Sequence, residues 1–575
     1  MKNVFTLPLV LISFYAFLSC NAPSTQATRD NTADAIYYGG DIITMEGDSA
    51  IYAEAVAVKD GKIVFVGSKA DAEKMKGDST VMNDLQGKTL LPGFVDSHGH
   101  LADAINAAGQ ANISSPPVGN CSSINDIITE LQKCKAENNI KDGEWIFGWG
   151  YDDTQLNEKT PPTKVELDKA FPNNPVFIRH VSGHLGVANS LALKDGHIDK
   201  NTKDPDGGLI LRMPGSTEPN GVLQEMAIHH FVDIINKTFS TQQAALLNKA
   251  LMNYASVGVT TAQEGFSDAQ TVSFLKTSAA DNKLFIDVVS LSSFLDLEKN
   301  LTDTTMRYGK YSNHLKFAGT KIVADGSPQG KTAFFTQAFL TPVPGCSHDC
   351  KGFPNVTQEQ LNTLFDVAYK NKQQLFVHCN GDATMDMLLA AHEHACKTND
   401  QPLDADRRTV VIHSNFVRKD QLVKYKAYNI TPSFFTNHAY FWGDVHVENL
   451  GQERAFFLSP VHTADSLGIV YSNHTDNIIT PINQIFTVWT AVNRQSRSGN
   501  IIGPNERATP YQALKALTIN AAYQVFDDKI KGTLTVDKLA DLVILDQNPL
   551  KVDPMKIKDI TVTETIKEGQ TVYKK

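Results

Sequence analysis

Several side chains that can hold a metal ion or move a proton stand at the ends of apolar runs in this chain. His98 and His100 close FVDSHGH, and Lys321 lies in KFAGTKIVADGS. His378 ends a run in LFVHCNGD, His413 in VVIHSN and Asp476 in YSNHTD. On a β-strand the side chains alternate with period two, so His98 and His100 point the same way and both imidazoles can bind one ion. For nitrogen and oxygen ligands the natural ion is zinc. A Lys inside an apolar strand is costly to bury unpaired; its other reading is a surface Lys with the ammonium in water. A lone His on an apolar strand also reads as a hydrogen-bonded core residue. Four histidines and an acid at the same end of successive strands are less easily dismissed.

Such an array needs strands that end together. Eight runs read as strands: TLLPGFVDSH, VGVTTAQEG, KLFIDVVSLSS, KFAGTKIVAD, QQLFVHCN, TVVIHSN, NITPSFFT and GIVYSNHTD. Helix-like stretches separate them, which implies parallel strands with helical crossovers. Eight such strands suggest an α/β fold of the (β/α)8 TIM-barrel type, with its chemistry at the strand C-terminal ends. An open doubly wound sheet is the alternative, but it wants a glycine-rich phosphate turn, and no GxGxxG or GxxxxGK stands in that context. Residues 112–235 are too long for a simple crossover and read as an insertion near the barrel mouth. Residues 35–88 and 529–575 share a short-strand texture with Asp60-Gly61 and Glu568-Gly569 as hairpin turns. Neither end makes a stable β-domain alone; together they make one small flanking β-sandwich, leaving 89–528 for the barrel.

The chain has 575 residues, 42% hydrophobic and 20% charged, an ordinary globular composition. Its net charge of −10 argues against a nucleic-acid binder. Residues 1–20, MKNVFTLPLVLISFYAFLSC, read as an export signal, with a membrane anchor as the alternative. The run ends in Leu18-Ser19-Cys20 and a polar stretch follows, which resembles a bacterial lipoprotein signal with Cys20 lipidated. Residues 21–34 then form a flexible tether, and Asn21 in place of Asp points to the outer membrane. Seven cysteines are too few for a disulfide scaffold. In an oxidising compartment Cys346 and Cys350, within PGCSHDCKG, read as a small local disulfide or, with His348, as a zinc site.

The order His-x-His on strand one, Lys on four, His on five, His on six and Asp on eight resembles the amidohydrolase superfamily of metal-dependent hydrolases. TLLPGFVDSHGHL is similar to the strand-one motif of that family, and KGTLTVDKLADLVILDQNP to its return into the flanking sheet. SGHLGVANSLAL, KIVADGSPQGKTAFF, TPSFFTNHAYFWGD and VWTAVNRQSRSG carry a narrower resemblance to its amidohydrolase 3 branch, over roughly residues 35–575. The resemblance implies His98 and His100 on a more buried ion, His378 and His413 on a second, and Lys321, often carbamylated in this family, bridging the two. It implies that Asp476 touches the metal and takes a proton from a water that the ion acidifies. His184, in SGH, would polarise the substrate carbonyl.

Two segments depart from the branch. Strand eight commonly reads S-D-A-P-V and here reads His474-Thr475-Asp476-Asn477-Ile478; strand five commonly reads H-A-I-G-D-R and here lacks the Arg. These changes bear on substrate preference more than on metal binding. Glu264, Asp325, His438, Tyr440 and Trp442 are candidates for the substrate pocket, with Ser327 and Gln329 beside Asp325. Cys379 points away from His378 and reads as packing. The expected activity is hydrolysis of a non-peptide amide in a small N-acyl or formamide-like molecule. A cyclic amide or lactone hydrolase and a non-catalytic binding lipoprotein on the same scaffold are the alternatives.

Overall fold

The computed structural model describes Met1 and residues 32–575, apart from positions 117, 154, 182, 184, 206–207, 240–241, 344–345 and 347. The expected export signal, Cys20, most of the tether and His184 lie outside the described residues.

Eight parallel strands follow one another in a single curled sheet. They are β1 (Phe94–Val95), β2 (Val259–Ser267), β3 (Asp287–Ser293), β4 (Leu315–Val323), β5 (Leu375–Cys379), β6 (Val410–His413), β7 (Thr431–Phe434) and β8 (Ser472–Asn473). β3, β6 and β7 are buried at every residue, as strands covered on both faces must be. The ends of the sheet meet just beyond β1 and β8. The Asp476 amide donates to the His98 carbonyl (3.1 Å) and the His100 amide to that of Asn477 (2.6 Å). The closing seam of this TIM-like barrel therefore runs through the residues expected to do chemistry. Phe376, two residues before His378 and so on its face of β5, packs with Val289, Leu291, Val410, Ile412 and Val525 in one buried cluster beneath the site.

The run Thr89–His98, read above as one strand, is divided. Thr89–Pro92 pairs with Ala35–Ile43 and Leu542–Leu545 in a separate sheet, and only Phe94–Val95 enters the barrel. The chain crosses at Gly93, where a Cβ would lie 2.4 Å from the Thr260 side chain; only glycine permits that approach. The two chain ends interleave in one eight-stranded sheet. Its hairpin turns at Asp60-Gly61 and Glu568-Gly569 have positive φ at both residues (48° and 74°, 48° and 76°), the geometry that matches strand twist. Ile63 donates to the Lys538 carbonyl (2.9 Å), so the sheet curls back around Ile42, Val56, Leu90, Leu542 and Ile566.

The long segment before β2 forms its own six-stranded sheet, including Ile146–Tyr151 and Val176–His180. Phe147 and Phe177 join the main core, with Phe177 stacked on Phe231 at 4.7 Å. Between β4 and the helix Gln358–Lys370 a long loop crosses the strand ends. Thr357 and Gln360 start that helix with a capping box. Cys346 and Cys350 are disulfide-bonded within the loop.

Candidate metal centre

The ends of β1, β2, β4, β5, β6 and β8 bring the expected residues into one water-poor cluster. One ligand atom each from His98, His413 and Asp476 lies within 4.8 Å of the others. Lys321 Nζ is 2.9 Å from His98 Nε2. His100 and His98 place Nε2 at 3.5 and 3.6 Å from Asp476 Oδ1. His378 Nδ1 is 3.1 Å from His413 Nε2, with the rings edge-on at 4.4 Å. A cavity of about 460 Å³ opens on this cluster, with His100, Glu264, Lys321 and His378 in its wall.

His413 (φ 71°) and Asp476 (φ 51°) hold left-handed backbone that non-glycine residues rarely adopt. Such strain persists where surrounding structure imposes it, and it collects at functional sites.

Burial sets the charge states. It holds His98, His378 and His413 far below the usual imidazole range, His378 at about 3, and the Lys321 ammonium adds to the effect on all three. These imidazoles are thus neutral, the form that binds metal. Burial also pushes Lys321 down to about 8, against the opposing pull of Asp476 and Glu264. For Asp476 burial acts upward, but the adjacent His100 outweighs it and keeps the carboxyl below its ordinary value. His100 itself is raised, since the Asp476 carboxylate overcomes its burial.

The residues fit a divalent cation. Asp476 Oδ1 is buried and receives no hydrogen bond, an orphan acceptor aimed into the cluster. Around it stand neutral imidazoles whose outer nitrogens are already engaged. His98 Nδ1 faces Gln263 Oε1 at 2.8 Å, and His378 Nε2 faces the Gly326 carbonyl at 3.2 Å. Such partners orient ligating histidines and leave the inner nitrogen free.

A model of the amidohydrolase family matches residues 82–573. The chain belongs to the amidohydrolase family. As a member it is a metal-dependent hydrolase acting on carbon–nitrogen bonds. Among its relatives, Protein LONG AFTER FAR-RED 3 of Arabidopsis thaliana is 29% identical, over 90% of this chain and 88% of that protein. An N-substituted formamide deformylase of Arthrobacter pascens is 26% identical, over 91% and 95%. In fold it is similar to a metal-dependent hydrolase of Pyrococcus horikoshii, with TM-score 0.72 and 22% identity over 90% of this chain and 99% of that one. It is also similar to atrazine chlorohydrolase of Arthrobacter aurescens, solved in complex with zinc, with TM-score 0.50 and 12% identity over 94% and 95%.

The other candidates of this amidohydrolase lie at varied distances from the cluster. Glu264 lines the cavity, but its carboxylate caps the helix Leu101–Ala107, accepting from the Ala102 amide (2.7 Å). Asp325 is spent as a clamp: it accepts from the amides of Asn380 and Gly381 (both 2.9 Å), the amide of Phe334 (3.1 Å) and Thr384 Oγ1 (2.9 Å). His438 pairs with His446, Nδ1 to Nε2 at 3.0 Å, and its ring is 4.6 Å from Trp442. Tyr440 packs on Phe486 and Trp489. Trp442 lines a neighbouring cavity of about 390 Å³ together with Trp149 and Arg497. Sequence reasoning passed over Gln263, in the middle of β2, and His474, just beyond β8; each is a buried polar residue, and that mismatch of type and burial is the signal that marks them.

Proposed function

We propose that this amidohydrolase cleaves the amide of a small N-acyl or formamide-like molecule, using zinc held by His98, His100, His378, His413 and Asp476. The observation that carries the reading is the convergence of buried neutral imidazoles and the orphan Asp476 Oδ1 on the floor of an open cavity. The formamide deformylase relative and the zinc complex of the atrazine chlorohydrolase support the choice of bond and ion. Bound there, the ion supplies Lewis acidity toward a carbonyl and acidifies water toward a pKa of about 7. The chain does the rest. Asp476, kept ionised beside His100, takes the proton of the attacking water at Oδ1 and hands it to the leaving amine. The buried cluster keeps bulk water from competing for that proton. Lys321, with its amine brought to about 8, would add carbon dioxide and release a proton to become a carbamate, whose oxygens would serve as metal ligands. His184 polarises the substrate carbonyl.

The enzyme works outside the cytoplasm, tethered by lipid on Cys20 to the bacterial outer membrane. The Cys346–Cys350 disulfide suits such an oxidising compartment.

The test is elemental analysis of purified protein without added metal, followed by an amide screen. About two zinc ions per chain support the bridged centre, and about one demotes Lys321. No zinc, with none acquired on reconstitution, sinks the reading. Lys321→Ala is expected to abolish activity; bicarbonate-insensitive wild-type activity in that variant would refute the bridging role.

A further inference from the structure

His474 stands just beyond β8, two residues before Asp476, and the reaction outlined above makes no use of it. It is fully buried, with its ring 5.1 Å from His413 and 5.4 Å from His98. A row of polar contacts leads to it, and the direction that runs through it is the one a metal-bound His413 requires. Ser97 Oγ can only donate to the Asn473 carbonyl at 2.7 Å, which uses its single proton. Ser433 Oγ lies 3.4 Å from Ser97 Oγ, a long contact in which only Ser433 has a proton left to place. With its own proton so placed, Ser433 accepts from His474 Nδ1 at 2.9 Å. A neutral imidazole carries one N–H, so His474 Nε2 is an acceptor. The group facing it, at 3.1 Å, is His413 Nδ1. His413 therefore has its hydrogen on Nδ1 and turns the lone pair of Nε2 inward.

On the opposite side, His378 Nε2 is engaged by the Gly326 carbonyl at 3.2 Å, the Asn380 side-chain amide at 3.0 Å and Asp325 Oδ1 at 3.4 Å. His378 Nδ1 and His413 Nε2 face each other at 3.1 Å and turn toward the same space.

We propose that His474 is a positioning residue: through Ser97, Ser433 and its own Nε2 it locks the Nδ1–H tautomer of His413, and so decides which nitrogen of His413 binds the metal. The inference rests on the reading of His413 as a metal ligand. Partners of ligating histidines commonly govern metal affinity by about 10–100-fold.

The experiment compares zinc affinity, by competition with a chromophoric chelator, in wild type, His474→Leu and His474→Gln, each stripped and reloaded. Leu removes the acceptor; Gln returns an oxygen near the position of Nε2. We expect Leu to weaken zinc by about 10–100-fold, and Gln to stay near wild type. Leu binding like wild type, or Leu and Gln weakened alike, overturns the positioning role. Histidine-selective 15N spectra of the zinc-loaded wild type give a readout independent of any variant. A His413 resonance protonated at Nδ1 supports the inference, and one protonated at Nε2 overturns it. His413→Ala runs alongside. If it holds zinc like wild type, the metal-site reading itself fails. If it loses zinc while His474→Leu does not, only the role of His474 fails.

Discussion

At the scale of the residue, Lys321 sits in an environment far from that of a lysine in water. It is almost wholly buried, 2.9 Å from an imidazole nitrogen, and its pKa falls to about 8. An unfolded chain holds that proton up to about 10.4. Between about pH 8 and pH 10 the unfolded state therefore binds more protons at this site than the folded state, and stability rises with pH. Denaturant unfolding of metal-stripped protein across that window should show the rise, and Lys321→Met should flatten it. An equal slope in the variant would assign the effect to other groups. The same lowered pKa leaves a useful fraction of free amine near neutral pH, which carbamylation requires.

At the scale of the element, the start of the barrel strands is held by charge. Asp287, first residue of β3, lies 3.0 Å from Lys567 and forms a short ion pair with Lys531; His314 Nδ1 adds a contact at 2.8 Å. Lys316 in β4 meets Asp527 at 2.6 Å. Burial acts upward on Asp287, but Lys531 and Lys567 outweigh it and hold its carboxyl well below the ordinary range. Removing one partner of a buried pair leaves the others uncompensated, at a cost of about 3–5 kcal/mol. Asp287→Ala should lose about that much in urea unfolding near pH 7; a loss under about 1 kcal/mol would show that the lysines find other partners. A depressed carboxyl contributes stability above its unfolded pKa of about 3.9 that is lost as pH falls below it. The variant should accordingly lose less stability than wild type on acidification below about pH 4.

At the scale of the whole molecule, this ionic layer also joins the terminal sheet to the barrel. Lys567 belongs to the sheet built from both chain ends, and Thr565 of the same strand donates to the Ala255 carbonyl just before β2 (2.7 Å). The terminal sheet thus meets the barrel at the strand N-terminal end, opposite His413 and Asp476. Ala33, where the tether reaches the described residues, is buried and donates to the Met75 carbonyl (2.8 Å). The proposed lipid on Cys20 would then be joined to the terminal sheet and not to the barrel. Cys20→Ala should move the protein from the membrane fraction to the soluble periplasm with its hydrolytic rate unchanged. Wild-type protein already found in the soluble fraction would refute the anchor.

Much of this was legible in residue order. The eight apolar runs, the His, Lys and Asp at their ends and the two hairpin turns follow from local rules: strand periodicity, burial and the backbone that Asp-Gly and Glu-Gly favour. Tertiary structure alone decided other things. Gly93 splits the first run between two sheets because of a Thr260 side chain far along the chain. Asp325 clamps the segment after the next strand because the amides of Asn380 and Gly381, just beyond β5, reach it. The importance of His474 is invisible without Ser433 and Ser97, which lie 41 and 377 positions away in sequence and beside it in space. Residue type and spacing determine which groups can do chemistry. Hydrogen-bond direction and charge state depend on partners that only the closed barrel brings into contact.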